Sequence, residues 1–120
     1  MPYEEPARTG EFLLSEAEGT RSRERVTVAQ GHTLQPGTVL GVIAATGEYA
    51  PFDPAATDGT ETAAGVLYDA VDSTGGVVTA VALVRDAEIK DANLIWPTGI
   101  TDAQKAAAAA SLRGAGLILR

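Results

Sequence analysis

Cysteine is absent from the 120-residue chain. Disulfides, thiolate metal sites and cysteine nucleophiles are therefore excluded, and no oxidising compartment is required. Histidine occurs once, as His32. Aromatic residues make up only 5% of the chain, so the core is expected to be thin and built from small side chains. No stretch approaches the roughly 18 apolar residues of a membrane-spanning helix. The start, MPYEEPARTGEF, lacks the basic residues and apolar run of a signal peptide. The simplest expectation is a protein made and kept in the cytosol, or in something assembled there. Basic residues are also scarce, nine against sixteen acidic ones, for a net charge of −7. Such a surface repels phosphate backbones and argues against a nucleic-acid partner. Arg21, Arg23 and Arg25 cluster, but Glu24 interrupts them and Glu16 and Glu18 precede them, which reads as a mixed solvated surface.

What the chain does have is Ala, Gly, Thr and Val in short segments punctuated by turns. Its length fits one domain. Residues 1–20 stand apart: Pro2, Pro6, Gly10 and Gly19 break a polar stretch around the apolar patch Glu11-Phe12-Leu13-Leu14-Ser15. This segment is either an edge strand on the domain's own sheet or an arm that orders on a partner by strand addition. Residues 21–120 form the body. Val26 and Val28 alternate with Arg25 and Thr27, as in a half-buried strand. Leu34-Gln35-Pro36-Gly37 is a β-turn. Thr38 to Ala44 is a nearly continuous apolar strand in which Gly41 marks a bulge or a close backbone approach. Gly65 to Val71 and Val77 to Arg85 are strands joined by a hairpin turn at Asp72–Gly76. The second has two apolar faces and should be buried on both sides. Ala87 to Lys90 is a short strand or turn. The one helix starts at Thr101, with Gln104 completing a capping box, runs through Ala106–Ala110 and ends near Gly114. Gly116 to Arg120 is a last strand. The expected fold class is mainly β with one short helix in the C-terminal half.

The residues of chemistry are sparse. His32 lies in a turn with no nucleophile or ligand motif beside it and is expected to be exposed. Asp53, Asp58, Asp69 and Asp72 lack the spacing of a calcium loop, and Asp58-Gly59 is better read as a turn. Gly31, Gly37, Gly41 and Gly47 form no phosphate-binding fingerprint. No catalytic residue, cofactor site or metal site is assigned, and the expectation is a non-enzyme. Trp96, the sole tryptophan, precedes Pro97, and is either a core anchor or an interface anchor.

Two sets of residues extend this reading. The first is Gly10 to Ala17 with Arg21-Ser22-Arg23-Glu24, Val26-Thr27-Val28, Leu34 and Gly37 to Gly41. The second is Thr57-Asp58-Gly59-Thr60, Ala64 to Leu67, Leu94-Ile95-Trp96-Pro97, the Ala-rich helix and Gly116 to Leu119. Their order resembles the phage head decoration protein D family from about residue 10 to the end. The resemblance implies a β-clip-like fold and homotrimers at three-fold and quasi-three-fold positions on the outside of an expanded capsid, away from membranes and nucleic acid. It implies that the partner is the major capsid protein, contacted through an arm that maps to Thr9, Gly10, Glu11, Phe12, Leu13, Leu14 and Ser15. Leu94, Trp96 and Pro97 are the candidate subunit interface. The protein would be made in the host cytoplasm and act on the virion. Three bridging arms gain from effective concentration, and binding only the expanded head stabilises it against DNA pressure.

The rival reading is a small-molecule module, since Gly31 to Leu40 resembles the strand-turn segment of β-clip domains attached to sugar-acid enzymes. It would need a concave polar pocket. A lipoyl-like carrier would need an exposed lysine in its motif, and only Lys90 and Lys105 are present.

Overall fold

The computed structural model describes residues 23–120 and, as a main-chain strand, residues 13–16. In chain order the strands are β1 (Leu13–Glu16), β2 (Arg23–Val28), β3 (Thr33–Leu34), β4 (Val39–Val42), β5 (Tyr49–Pro51), β6 (Gly65–Leu67), β7 (Val71–Asp72), β8 (Val78–Leu83), β9 (Ala87–Ile89) and β10 (Leu117–Leu119). The helix α1 (Asp102–Gly114) follows a single 3-10 turn at Asp91–Asn93. The fold is mainly β with one helix, as the turn-punctuated pattern implies.

Five strands close into a barrel in the order β2-β5-β4-β6-β8. The longest seam pairs β2 antiparallel with β8, from Arg23 opposite Leu83 to Val28 opposite Val78. A second sheet, β1-β9-β10, lies beside the barrel, with β9 antiparallel to β1 and parallel to β10. A two-stranded ribbon joins β3 to β7.

Two apolar clusters explain why several strands lack a polar face. Val26, Val28, Leu40, Leu67, Val71, Ala80 and Ala82 form one. Val39, Phe52, Val66, Leu83, Ile89, Leu94, Ala108, Leu112 and Leu117 belong to the other, which includes residues of the helix and the second sheet. Successive side chains of a strand point to opposite faces. Val39 and Leu40 of β4 therefore enter different clusters, as do Val66 and Leu67 of β6, and Ala82 and Leu83 of β8. The double burial expected of the 77–85 strand is met only near its end, where Ala82 and Leu83 are buried on opposite faces; Val77 is exposed. Its interior face is Val78, Ala80 and Ala82, while Thr79 on the other face is exposed. Small side chains suit a barrel of few strands, whose interior must be filled without voids.

Local signals decide the element ends. Thr101 accepts a bond from the Gln104 amide N–H at 3.1 Å, and the Gln104 side chain accepts from the Thr101 N–H at 3.0 Å, so the capping box forms as its sequence requires. Gly114 is the last residue of the helix and not its cap. Ala115 is the cap, and the left-handed residue is Gly116 (φ +92°). A Cβ at Gly116 would lie 2.9 Å from the Asp86 amide nitrogen, so the close approach selects the later glycine. Gly41 is a close approach too: a Cβ there would sit 2.6 Å from the Thr60 Cα. The turn after β3 spans Gln35–Thr38, with Pro36 and Gly37 (φ +93°) at its centre.

The Asp72–Gly76 hairpin is more elaborate than the sequence suggests. The strand that precedes it breaks after Leu67, and β7 pairs with β3 rather than with β8. The cause is Ser73, which is fully buried. Its hydroxyl donates to the Ala29 carbonyl at 2.7 Å and accepts from the His32 N–H at 3.1 Å. Its main chain exchanges bonds with Gly31 and His32.

Candidate interaction surface

The segment after the 3-10 turn runs along the end of the barrel. The Ile95 N–H donates to the Gly37 carbonyl at 2.9 Å, and the Ile95 carbonyl accepts from the Val39 N–H at 3.2 Å. This anchoring presents successive residues to different environments. Leu94 is buried in the core, Ile95 is exposed, and Trp96 and Pro97 are half-buried. Trp96 meets Phe52 edge to face, with centroids 6.3 Å apart. The ammonium of Lys105, on α1, lies 5.9 Å from the Trp96 ring centroid. Both contacts are of the kind that fix an aromatic side chain.

A cleft of about 230 Å³ opens here, walled by Leu34, Pro51, Phe52, Ile95, Trp96 and Pro97, with Thr33, Gln35 and Thr38 as its polar margin. Among the described residues no charged side chain lines it. Of the expected interface residues, Trp96 and Pro97 form part of its wall. Leu94 lies in the core and supports them from below. Ile95, Leu34 and Phe52 were not among the expected interface residues. Ile95 could have been, because it sits between Leu94 and Trp96 in an extended run whose side chains alternate.

In the expected arm, Thr9, Gly10, Glu11 and Phe12 lie outside the described residues. Leu13, Leu14 and Ser15 fall in β1, which is held on β9 with Ser15 opposite Glu88 and an irregularity between Leu13 and Ser15. Ala87 and Asp91 donate to Gly116 and Arg120, and Ile89 accepts from Arg120. The odd-numbered residues of β9 thus serve β10, which leaves Glu88 to pair with Ser15.

The residues considered for chemistry are occupied locally. Asp58 accepts from the Thr60 N–H and hydroxyl at 3.0 and 2.6 Å, and Asp72 from those of Thr74 at 3.1 and 2.7 Å. The Thr60 hydroxyl holds the Asp58 carboxyl below the ordinary carboxylate value, and the Thr74 hydroxyl does the same for Asp72. These are turn-forming acids, as the Asp58-Gly59 pair suggests. His32 departs from expectation. It is half-buried rather than exposed, because Ser73 ties down its main chain. It borders an adjoining cleft with Asp53, Asp58 and Thr60, which shares Pro51, Phe52 and Pro97 with the cleft at Trp96. Among the described residues no group of three or more His, Cys, Asp or Glu side chains could hold a metal ion, and no helix is long and apolar enough to cross a membrane.

None of the curated proteins matches the chain. A family model does, over residues 2–117 of the 120. That match defines the class: a structural protein that decorates the capsid of a virus. The chain belongs to the bacteriophage lambda head decoration protein D family.

Proposed function

We propose that this protein binds the outer surface of an expanded phage head as a trimer at three-fold and quasi-three-fold sites, and stabilises the head against the pressure of packaged DNA. The family match over residues 2–117 carries this reading. The arm Thr9 to Ser15 contacts the major capsid protein by strand addition, and the copies meet one another through the surface formed by Trp96 and Pro97 with Leu94 behind it. The position of β1 supports the first contact, since it forms one edge of the β1-β9-β10 sheet. A strand at such an edge has one row of main-chain groups directed away from its neighbour, ready to pair. The uncharged apolar cleft at Trp96 supports the second. Three arms on one trimer bind together, so modest individual contacts hold firmly. A protein that binds the expanded head and not its precursor shifts the equilibrium toward the expanded state.

A small-molecule module would require convergent polar groups in a concave site. The lining of the Trp96 cleft is mostly apolar, which favours a protein contact over a sugar-acid ligand.

The test is co-sedimentation with expanded heads of the cognate phage, comparing the full chain with one lacking residues 1–15. The full chain should pellet at saturating stoichiometry and the truncated chain should remain in the supernatant. Pelleting of both would remove the arm from the mechanism. Pelleting of neither would remove the decoration role.

A further inference from the structure

The cleft beside His32, of about 500 Å³, adjoins the one at Trp96, and Pro51, Phe52 and Pro97 line both. Ile43, Ala50 and Ala56 complete its apolar lining, and its polar lining is His32, Asp53, Asp58 and Thr60. Asp53 and Asp58 are exposed, and local bonds orient each through one oxygen. Asp53 Oδ1 accepts the Ala55 N–H at 3.0 Å, and Asp58 Oδ1 accepts the Thr60 N–H and hydroxyl. Among the described residues nothing bonds to either Oδ2, and no lysine or arginine lines the cleft. The cleft at Tyr68 differs, because its acids, Glu24 and Asp69, share it with Arg23 and Arg25.

Charge complementarity selects the occupant. Apolar walls with two carboxylates at hand suit a group that brings hydrocarbon surface and positive charge together. A metal ion offers no hydrocarbon, and among the described residues no group of three or more His, Cys, Asp or Glu side chains could hold one. A second copy carries a net charge of −7, which the two acids oppose. An arginine side chain has the required form, an apolar stem under a cationic head. Its planar fork also matches carboxylate oxygens in geometry. We propose that this cleft is a docking site for an extended, arginine-containing segment of another protein, with the arginine stem against Ile43, Pro51 and Pro97 and its guanidinium at Asp53 and Asp58. Apolar residues flanking the arginine cover Ala56 and Phe52. The inference goes beyond the head-binding reading and requires neither the trimer nor the arm.

His32 is the sole histidine and lines the cleft, so its ring proton gives one resonance that reports binding. The full chain is titrated to millimolar concentration with the peptide acetyl-Gly-Leu-Arg-Leu-Gly-amide. A second titration uses the same peptide with citrulline, which keeps the shape of arginine and removes its charge. The arginine peptide should shift the His32 resonance saturably. The citrulline peptide should bind about fivefold more weakly, the scale of exposed ion pairs, and high salt should erase the difference. Asp53→Asn combined with Asp58→Asn should weaken the arginine peptide by a similar factor, since each asparagine Oδ1 can still accept the local bonds. Thermal unfolding checks that the double variant folds. If it does not, Ala56→Arg, at a half-buried position in the same cleft, replaces it and should abolish the shift by supplying a guanidinium of its own. Equal affinity for the two peptides overturns the proposal, as does an arginine-peptide affinity unchanged in a folded variant. The absence of any saturable shift overturns it as well. A His32 resonance that moves with protein concentration and with neither peptide gives the cleft to a second copy and overturns it too. Co-sedimentation with heads reports separately on decoration.

Discussion

Replacing Ser73 by Ala should destabilise the fold out of proportion to the single atom removed. The Ser73 hydroxyl is the fastening between the end of β2, the turn before β3 and the ribbon strand β7. It donates to the Ala29 carbonyl at 2.7 Å and accepts from the His32 N–H at 3.1 Å. Ser73 is fully buried and Ala29 is only 8% exposed, so water cannot readily replace the bond to that carbonyl. His32 is half-buried, and its N–H can recover part of its loss from solvent. A buried group left unsatisfied costs about 1–3 kcal/mol. One full loss and one partial loss together give about 2–3 kcal/mol. For a domain of this size that corresponds to a fall in Tm of about 10 °C. Urea unfolding should show a lower midpoint with an unchanged slope, because the surface exposed on unfolding does not change. A loss below about 0.5 kcal/mol, the scale of an ordinary surface substitution, would refute the reasoning. It would mean that the bonds from the Ser73 main chain to Gly31 and His32 hold this junction by themselves.

Gly41→Ala should destabilise by about 1–3 kcal/mol, since its Cβ would meet the Thr60 main chain and not a movable side chain; an unchanged denaturation midpoint would show that the 53–62 loop can shift. Thr101→Ala should cost about 1 kcal/mol through loss of the capping box, read by thermal unfolding, while Thr101→Ser should recover most of it. Carbon NMR titration should place the Asp58 and Asp72 midpoints below the ordinary carboxylate value of 3.8. The sign follows from linkage: a depressed folded value gives stability that is present above the ordinary value and is lost as pH falls through the folded one. Both turns should therefore weaken only in strong acid. Thr74→Val should raise the Asp72 midpoint, because the Thr74 hydroxyl is the largest cause of its depression; a midpoint that does not move would assign the shift elsewhere.

Features whose causes are local can be read from the residues alone. Alternation placed Val26 and Val28 inward. The Thr101–Gln104 spacing set the helix start, and the absence of cysteine excluded staples. Small apolar residues on both faces of the 77–85 strand pointed to burial on both sides, which holds at Ala82 and Leu83 but not at Val77 and Thr79, which are exposed. The ordered residue pattern over the chain was enough to place it in its family. Tertiary structure decided what depends on partners far away in the chain. Nothing near Asp72 announces that β7 will pair with β3, because the bonds that pull it there come from Ser73 to residues 41 and 44 positions away. Gly116 rather than Gly114 takes the left-handed conformation because Asp86 lies against it. The sole tryptophan becomes part of a surface cleft only where Phe52 and Leu34 come together beside it, with the Lys105 ammonium over its ring. Periodicity and caps depend on neighbours within a few residues, whereas a cleft depends on which distant strands pack together, and packing is settled only when the whole barrel closes.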